Sequence, residues 1–201
     1  DRPRVVAHVA VALDGATTGF LPDVGRFHEP AGTWSEDVTL VGADTVLAEE
    51  PALAGAPRRP APPGAPLLAV VDGRARVREW EALAGVATGR VCSRCAPRHT
   101  GAPPRADVPE LVVGDERVLA AALTALAERH GARVVRVDSG GALIGALLER
   151  GLLCQVSLLG HPVLAGRGNG LAGGRAPARS LELISSAALP GGPVRLRHRI
   201  G

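Results

Sequence analysis

Three carboxylates in this chain stand beside turns opened by glycine, and that pairing is where its chemistry is most legible. Glu49 and Glu50 follow the run Val38-Thr39-Leu40-Val41-Gly42-Ala43, in which β-branched residues give way to glycine and then to a helical segment. Asp138 ends a second run of the same kind, Arg133 to Val137, and leads through Ser139-Gly140-Gly141 into helical sequence that ends at Arg150-Gly151. A strand that passes through glycine into a helix leaves backbone N–H groups unpaired at the helix start, where an anion can accept from them. A carboxylate beside such a corner can hold or pass a proton next to whatever the corner binds. Two such units in one chain point to a nucleotide site. Glu49 and Glu50 also lie where Pro51 is expected to end the first helix, against the unfavourable end of the helix dipole. A solvated surface pair is the simple reading of them; a role in a site is the other.

The remaining candidates are fewer. His8 interrupts the apolar run Val5 to Leu13, which reads as a strand buried on both faces and turning at Asp14-Gly15. A histidine in such a strand is a satisfied core residue or a group facing a pocket. Asp14 reads as a turn residue accepting local backbone bonds. Cys92-Ser93-Arg94-Cys95 is a lone pair of thiols with no second half, so neither a zinc site nor a disulfide scaffold is expected, and no metal. Arg58 and Arg59 lie in a proline-rich surface stretch and read as solvated, with a phosphate contact as the alternative.

The elements that must position these groups alternate between strand and helix. After Val38 to Val41, strands are expected at Leu67 to Asp72, Arg90 to Cys92, Leu111 to Val113, Val134 to Asp138, Cys154 to Leu159 and Val163-Leu164. Leu181 to Ser185 and Val194 to Arg199 read as a closing antiparallel pair. Helical sequence occupies Trp80 to Ala84, Val118 to His130, whose apolar stripe runs through Leu119, Ala122, Leu123 and Leu126, and Leu143 to Arg150. Thr17 to Glu36 looks irregular, and Gly166 to Gly170 looks like a mobile loop. With 201 residues and 46% hydrophobic content, one domain over residues 1–201 with a sizeable core is expected. The net charge of +3 is spread along the chain without interleaved aromatic residues, which argues against a nucleic-acid reader. No apolar run reaches the roughly 20 residues of a membrane span, and a cytoplasmic protein is the expectation.

Val41-Gly42-Ala43-Asp44-Thr45-Val46 leading to Glu49-Glu50-Pro51-Ala52-Leu53 resembles the Gly-Ala-x-Thr-Val turn, acidic pair, proline and leucine of the riboflavin-pathway pyrimidine reductases. Asp138-Ser139-Gly140-Gly141-Ala142-Leu143-Ile144 is similar to that family's Glu-Gly-Gly-x-x-Leu loop and helix. Arg2-Pro3 with His8 to Gly15, His161 to Gly166 and the closing Leu181 to Ser186 fall in the same order along the chain. The resemblance implies an α/β, dihydrofolate-reductase-like fold, a mixed and mostly parallel sheet flanked by helices. It also implies NADPH as cofactor, a small heterocyclic substrate and a homodimer. The implied reaction turns ribosylamino into ribitylamino on an aminopyrimidine.

Residue by residue, the resemblance implies that Glu49, Asp138 and His8 are catalytic, with Glu49 in a usual aspartate position, Asp138 in a glutamate position and His8 in a position that is often lysine. Cofactor contacts are implied for Ala10, Gly42, Ala43, Thr45, Gly73, Gly140, Gly141, Ala142, Leu143 and Ile144, and substrate contacts for Leu53 and Asp138. Ser93 and Arg94 fall where related enzymes hold an adenosine 2′-phosphate. The segment from Thr17 to Glu36 is shorter than in the family, Trp34 does not match its tryptophan, and Ala56 stands where an arginine is usual. A pterin-type reductase and a non-catalytic dinucleotide-binding or dimerisation module are the alternatives.

Overall fold

The computed structural model describes residues 2–29, 33–53, 55–57, 63–86, 91–96, 110–112, 118–173 and 178–201. The chain divides into two compact units, the first made of residues 1–3 and 36–135 and the second of 4–35 and 136–201.

In the first unit, β2 (Val38–Gly42), β3 (Leu67–Val71), β4 (Val91–Ala96) and β5 (Glu110–Val112) pair in that order, every pair parallel. Parallel neighbours need crossover segments: α2 (Ala43–Leu53) joins β2 to β3 and α3 (Trp80–Val86) lies between β3 and β4, while α4 (Val118–His130) follows β5. Val41, Ala43, Val46, Val70, Val77, Trp80 and Leu83 form one buried cluster that seats α2 and α3, with Leu53 and Leu68 packed at its margin. Asp37 anchors the strand starts: its carboxylate accepts from the amides of Arg133 (2.7 Å) and Val134 (2.9 Å), and its own carbonyl accepts from Leu67. The helical stripe expected from Val118 to His130 is buried at Leu119, Ala122, Leu123 and Leu126, and Gly131 follows with φ of 65°.

In the second unit, β1 (Arg4–Ala12) pairs parallel with β7 (Gln155–His161), which pairs antiparallel with β9 (Val194–Ile200), and β9 pairs antiparallel with β8 (Leu181–Ala188). β6 (Val134–Val137) divides between the units and leads into α5 (Gly141–Glu149), whose Leu143, Ile144 and Leu147 are core. Among the described pairings, parallel ones thus predominate, as expected.

Several local expectations are corrected. Pro51 does not end α2, which runs on to Leu53; a proline so near the end removes one donor and leaves the last turn standing. The irregular stretch after Thr17 contains a five-residue helix, α1 (Val24–His28), whose start is capped by the Asp23 side chain on the Arg26 amide. Val163 and Leu164 belong to no strand. The segment 166–170, expected to be mobile, is tied down: Asp14 accepts from the Gly166 amide at 2.8 Å, the Thr17 amide and hydroxyl both donate to the Asn169 carbonyl, and Thr18 accepts from the Asn169 amide. The Ala16 amide also donates to Asp14 at 3.4 Å, bearing out Asp14 as a turn residue, and the Gly166 bond, with the Ala16 bond behind it, holds the carboxyl below its usual range. Arg58, Arg59, Arg90 and Val113 lie outside the described residues.

Candidate active site

In the first unit the sequence-predicted corner forms. β2 and β3 are parallel with Gly42 opposite Val71, so Gly42-Ala43 and Asp72-Gly73 open at the carboxyl ends of neighbouring strands. That edge is where ligands of open parallel sheets bind. Ala43 is buried while Gly42 and Thr45 are half-buried beside it. The turn after β3 is fixed by Asp72, which is fully buried and accepts from the amides of Arg76 (2.9 Å) and Val77 (3.0 Å). Its left-handed residue is Ala75 at φ 52°. Leu53 is half-buried and packs at the margin of the core cluster. β4 carries Ser93 and Arg94 opposite Ala69 and Val70.

The acidic pair has two different environments. Glu50 accepts from the amides of Arg78 (3.0 Å) and Glu79 (3.3 Å), immediately before α3. Its charge therefore answers the positive end of another helix, which explains an acid at the wrong end of its own. Glu49 is exposed. The two carboxylates are not a solvated pair with one function.

In the second unit, Asp138 lies just beyond β6, half-buried, with Arg136 at 3.2 Å. Arg136 is itself buried, so this ion pair is better insulated from water than a surface pair. Gly140 is the N-cap of α5, with no side chain capping the helix and nothing within 4 Å of the place a Cβ would occupy. The first-turn amides of Gly141, Ala142 and Leu143 have no partner within the helix. Gly141 behaves differently from Gly140. A Cβ there would run into the Gly170 carbonyl oxygen and lie 3.1 Å from the Gly173 amide, and one at Gly145 would meet the Ala172 carbonyl. The bare backbone at Gly141 is therefore occupied by the chain's own segment 170–173. Gly141 is thus required by the chain's own packing, while Gly140 leaves open space where a Cβ would stand. Leu143 and Ile144 send their side chains into the core.

His8 is fully buried on β1. Its Nε2 lies 2.9 Å from the Phe27 carbonyl and its Nδ1 3.1 Å from the Ser157 hydroxyl. A carbonyl only accepts, so Nε2 carries the proton and Nδ1 accepts from Ser157. Burial, reinforced by the nearby Arg136 and Arg195 cations and opposed by the Phe27 and Ser157 bonds, lowers its pKa to about 4. The ring is thus neutral, with Phe27 stacked on it at 4.5 Å and Trp34 tilted at 5.4 Å. Ala10, two residues on, is half-buried, alone among β1 residues after Arg4 in not being buried.

The sequence did not single out the partners of His8. Ser157 sits in an apolar strand, and Arg195, Arg197 and Arg199 alternate with Leu196 and His198; a polar residue breaking a buried strand and a two-residue rhythm of arginines were the available signals. Asp72 stands in the sequence only as the last residue of the expected strand Leu67 to Asp72.

The class this fold defines is the dihydrofolate-reductase-like scaffold, a mixed and mostly parallel sheet with helices along its crossovers. The chain belongs to the family described as RibD C-terminal domain, whose profile matches residues 3–194. It is 28% identical over 190 residues, covering 82% of this chain and 83% of the relative, to the 2,5-diamino-6-ribosylamino-4(3H)-pyrimidinone 5′-phosphate reductase of Archaeoglobus fulgidus. Among solved structures it resembles the Saccharomyces riboflavin biosynthesis reductase Rib7, with a TM-score of 0.73 at 18% identity over 100% of this chain and 90% of that one. A pyrimidine reductase-like protein of Corynebacterium diphtheriae gives a TM-score of 0.72 at 15% identity over 99% and 92%. The deaminase/reductase of Thermotoga maritima gives 0.74 at 20% identity, with 100% of this chain covering 57% of that one.

Proposed function

We propose that this protein is an NADPH-dependent reductase that converts the ribosylamino group of a ribosylaminopyrimidine phosphate into a ribitylamino group. The observation that carries the reading is the α5 start: an uncapped helix N-terminus with open space at Gly140 and the Asp138–Arg136 pair beside it, in a chain of this family. Unpaired N–H groups and a glycine without a neighbour suit a pyrophosphate. When bound, NADPH supplies a hydride to the ribosyl carbon C1′. As the C1′–O4′ bond opens, O4′ must gain a proton, and the protein's tasks are to orient the sugar, exclude water and deliver that proton.

Within this reading the backbone from Gly140 to Ile144 holds the cofactor pyrophosphate, and Ala10, Gly42, Ala43, Thr45 and Gly73 are further cofactor contacts. Glu49 supplies the proton. Asp138, aligned by Arg136, stabilises positive charge developing at C1′ and its nitrogen and binds substrate, with Leu53 as a second substrate contact. His8 remains neutral through the reaction and contributes through the orientation of its ring, because both its nitrogens are engaged by the chain. Residues 1–201 act as a single reductase-like domain, and a homodimer in the cytoplasm is the proposed working form.

The test is NADPH oxidation measured with ribosylaminopyrimidine phosphate and, separately, with dihydrofolate. Turnover with the first alone is expected. Turnover with dihydrofolate alone would favour a pterin reductase, and tight NADPH binding with neither substrate turned over would favour a non-catalytic module.

A further inference from the structure

Parallel and antiparallel register in the second unit builds a polar row across three strands. His8 on β1 stands opposite Ser157 on β7, and Ser157 stands opposite Arg197 on β9. Directly opposed residues share a face of the sheet, so Arg197 lies on the same face as His8. Arg195, two residues earlier on β9, therefore points the same way, and its charge is felt at His8. Trp34 covers this face, with the Arg197 guanidinium 5.6 Å from its ring centroid.

The donors here have no acceptors. Trp34 is 6% exposed, yet its indole N–H has no hydrogen-bond partner among the described residues, and neither does the buried Nε of Arg197. Neither Arg195 nor Arg197 has an ion pair among the described residues, although both are half-buried. The other cations nearby are matched: Arg136 with Asp138, and Arg199 with Glu182 at 2.9 Å. Buried polar groups in folded proteins are nearly always satisfied, so a buried indole N–H and a buried guanidinium Nε without acceptors, beside a second guanidinium without an ion pair, call for an anionic acceptor. Two guanidiniums and one neutral N–H match a doubly charged, multi-oxygen group better than a carboxylate.

We propose that Trp34, Arg195 and Arg197 form a binding site for a phosphate monoester. The chemistry is the same whether the phosphate terminates a sugar or sits on the adenosine ribose of a dinucleotide, and it does not depend on which reaction the protein catalyses.

The experiment is isothermal titration of the full chain with ribose 5-phosphate and with adenosine 2′,5′-bisphosphate, using ribose and adenosine as controls. At least one phosphate is expected to bind while its unphosphorylated control does not, and the one that binds identifies the source. Arg197→Met is expected to weaken that binding about tenfold or more, and Trp34→Phe by a smaller factor of roughly three to ten. Arg199→Met, on the same strand and face but already ion-paired, should bind as the unaltered protein does. If Arg197→Met fails to fold, Arg197→Lys keeps the charge without the guanidinium fork and should give an intermediate loss. Binding of neither phosphate tighter than roughly 10 mM would overturn the proposal. So would unchanged affinity in both the Arg197 and Trp34 variants, or an equal loss in Arg199→Met.

Discussion

Acid should unfold this protein through His8. The folded state holds the ring neutral, with a pKa of about 4 against an ordinary 6.5. The unfolded chain takes up a proton as the pH falls through 6.5, while the folded chain does so only near 4. Between those values the unfolded state binds more protons, so stability is full above the unfolded pKa and is lost as the pH falls toward the folded one. Working the two pKa values through the linkage relation gives a loss of roughly 2.5 kcal/mol between about pH 7.5 and about pH 4.5 from this one residue. That is a large part of the ~5 to 15 kcal/mol that holds a typical domain folded. The assay is urea denaturation at several pH values, comparing the unaltered protein with His8→Gln. Glutamine can donate to the Phe27 carbonyl and accept from Ser157 but does not titrate, so the stability of the unaltered protein relative to the variant should fall by roughly 2.5 kcal/mol as the pH drops from about 7.5 to about 4.5. A constant difference between them across this range would refute the account of His8 as a buried neutral ring.

The other expectations concern the candidate site. Glu49→Gln should lower turnover while leaving NADPH affinity nearly unchanged; measured by cofactor titration and steady-state rates, unaltered turnover would remove Glu49 from the reaction. Glu50→Ala should act on the fold instead, costing about 1 kcal/mol of stability through the two amides it accepts from, with no change in cofactor affinity. Gly140→Asp should weaken NADPH binding by placing an acid in the open space at the start of α5, without a matching fall in melting temperature. Gly141→Ala should lower the melting temperature first, because its Cβ would meet the Gly170 carbonyl.

The elements themselves were largely legible. α4 spans Val118–His130 in both readings because its apolar stripe, its Gly131 stop and its lack of proline agree with one another. Strands such as β3 and β7 are short apolar runs between turn residues, and their positions followed from that punctuation. What the sequence could not convey is contact at long separation. Nothing near Glu50 in sequence announces the amides of Arg78 and Glu79, and nothing near His8 announces Ser157, 149 residues away. The tie between segments 14–18 and 166–170 is of the same kind, which is why that stretch read as loose. Pro51 misled for a different reason, since a breaker in a final turn removes too little to stop the helix.

The crowding of Gly141 and Gly145 against residues 170–173 bears on how relatives of this protein should be compared. A glycine demanded by the protein's own packing must persist even in a descendant that has abandoned catalysis, because any side chain would push the neighbouring loop aside. The second glycine of the motif therefore marks ancestry and sound folding. Under the proposed function Gly140, which nothing crowds, is the position whose loss would report a change of trade.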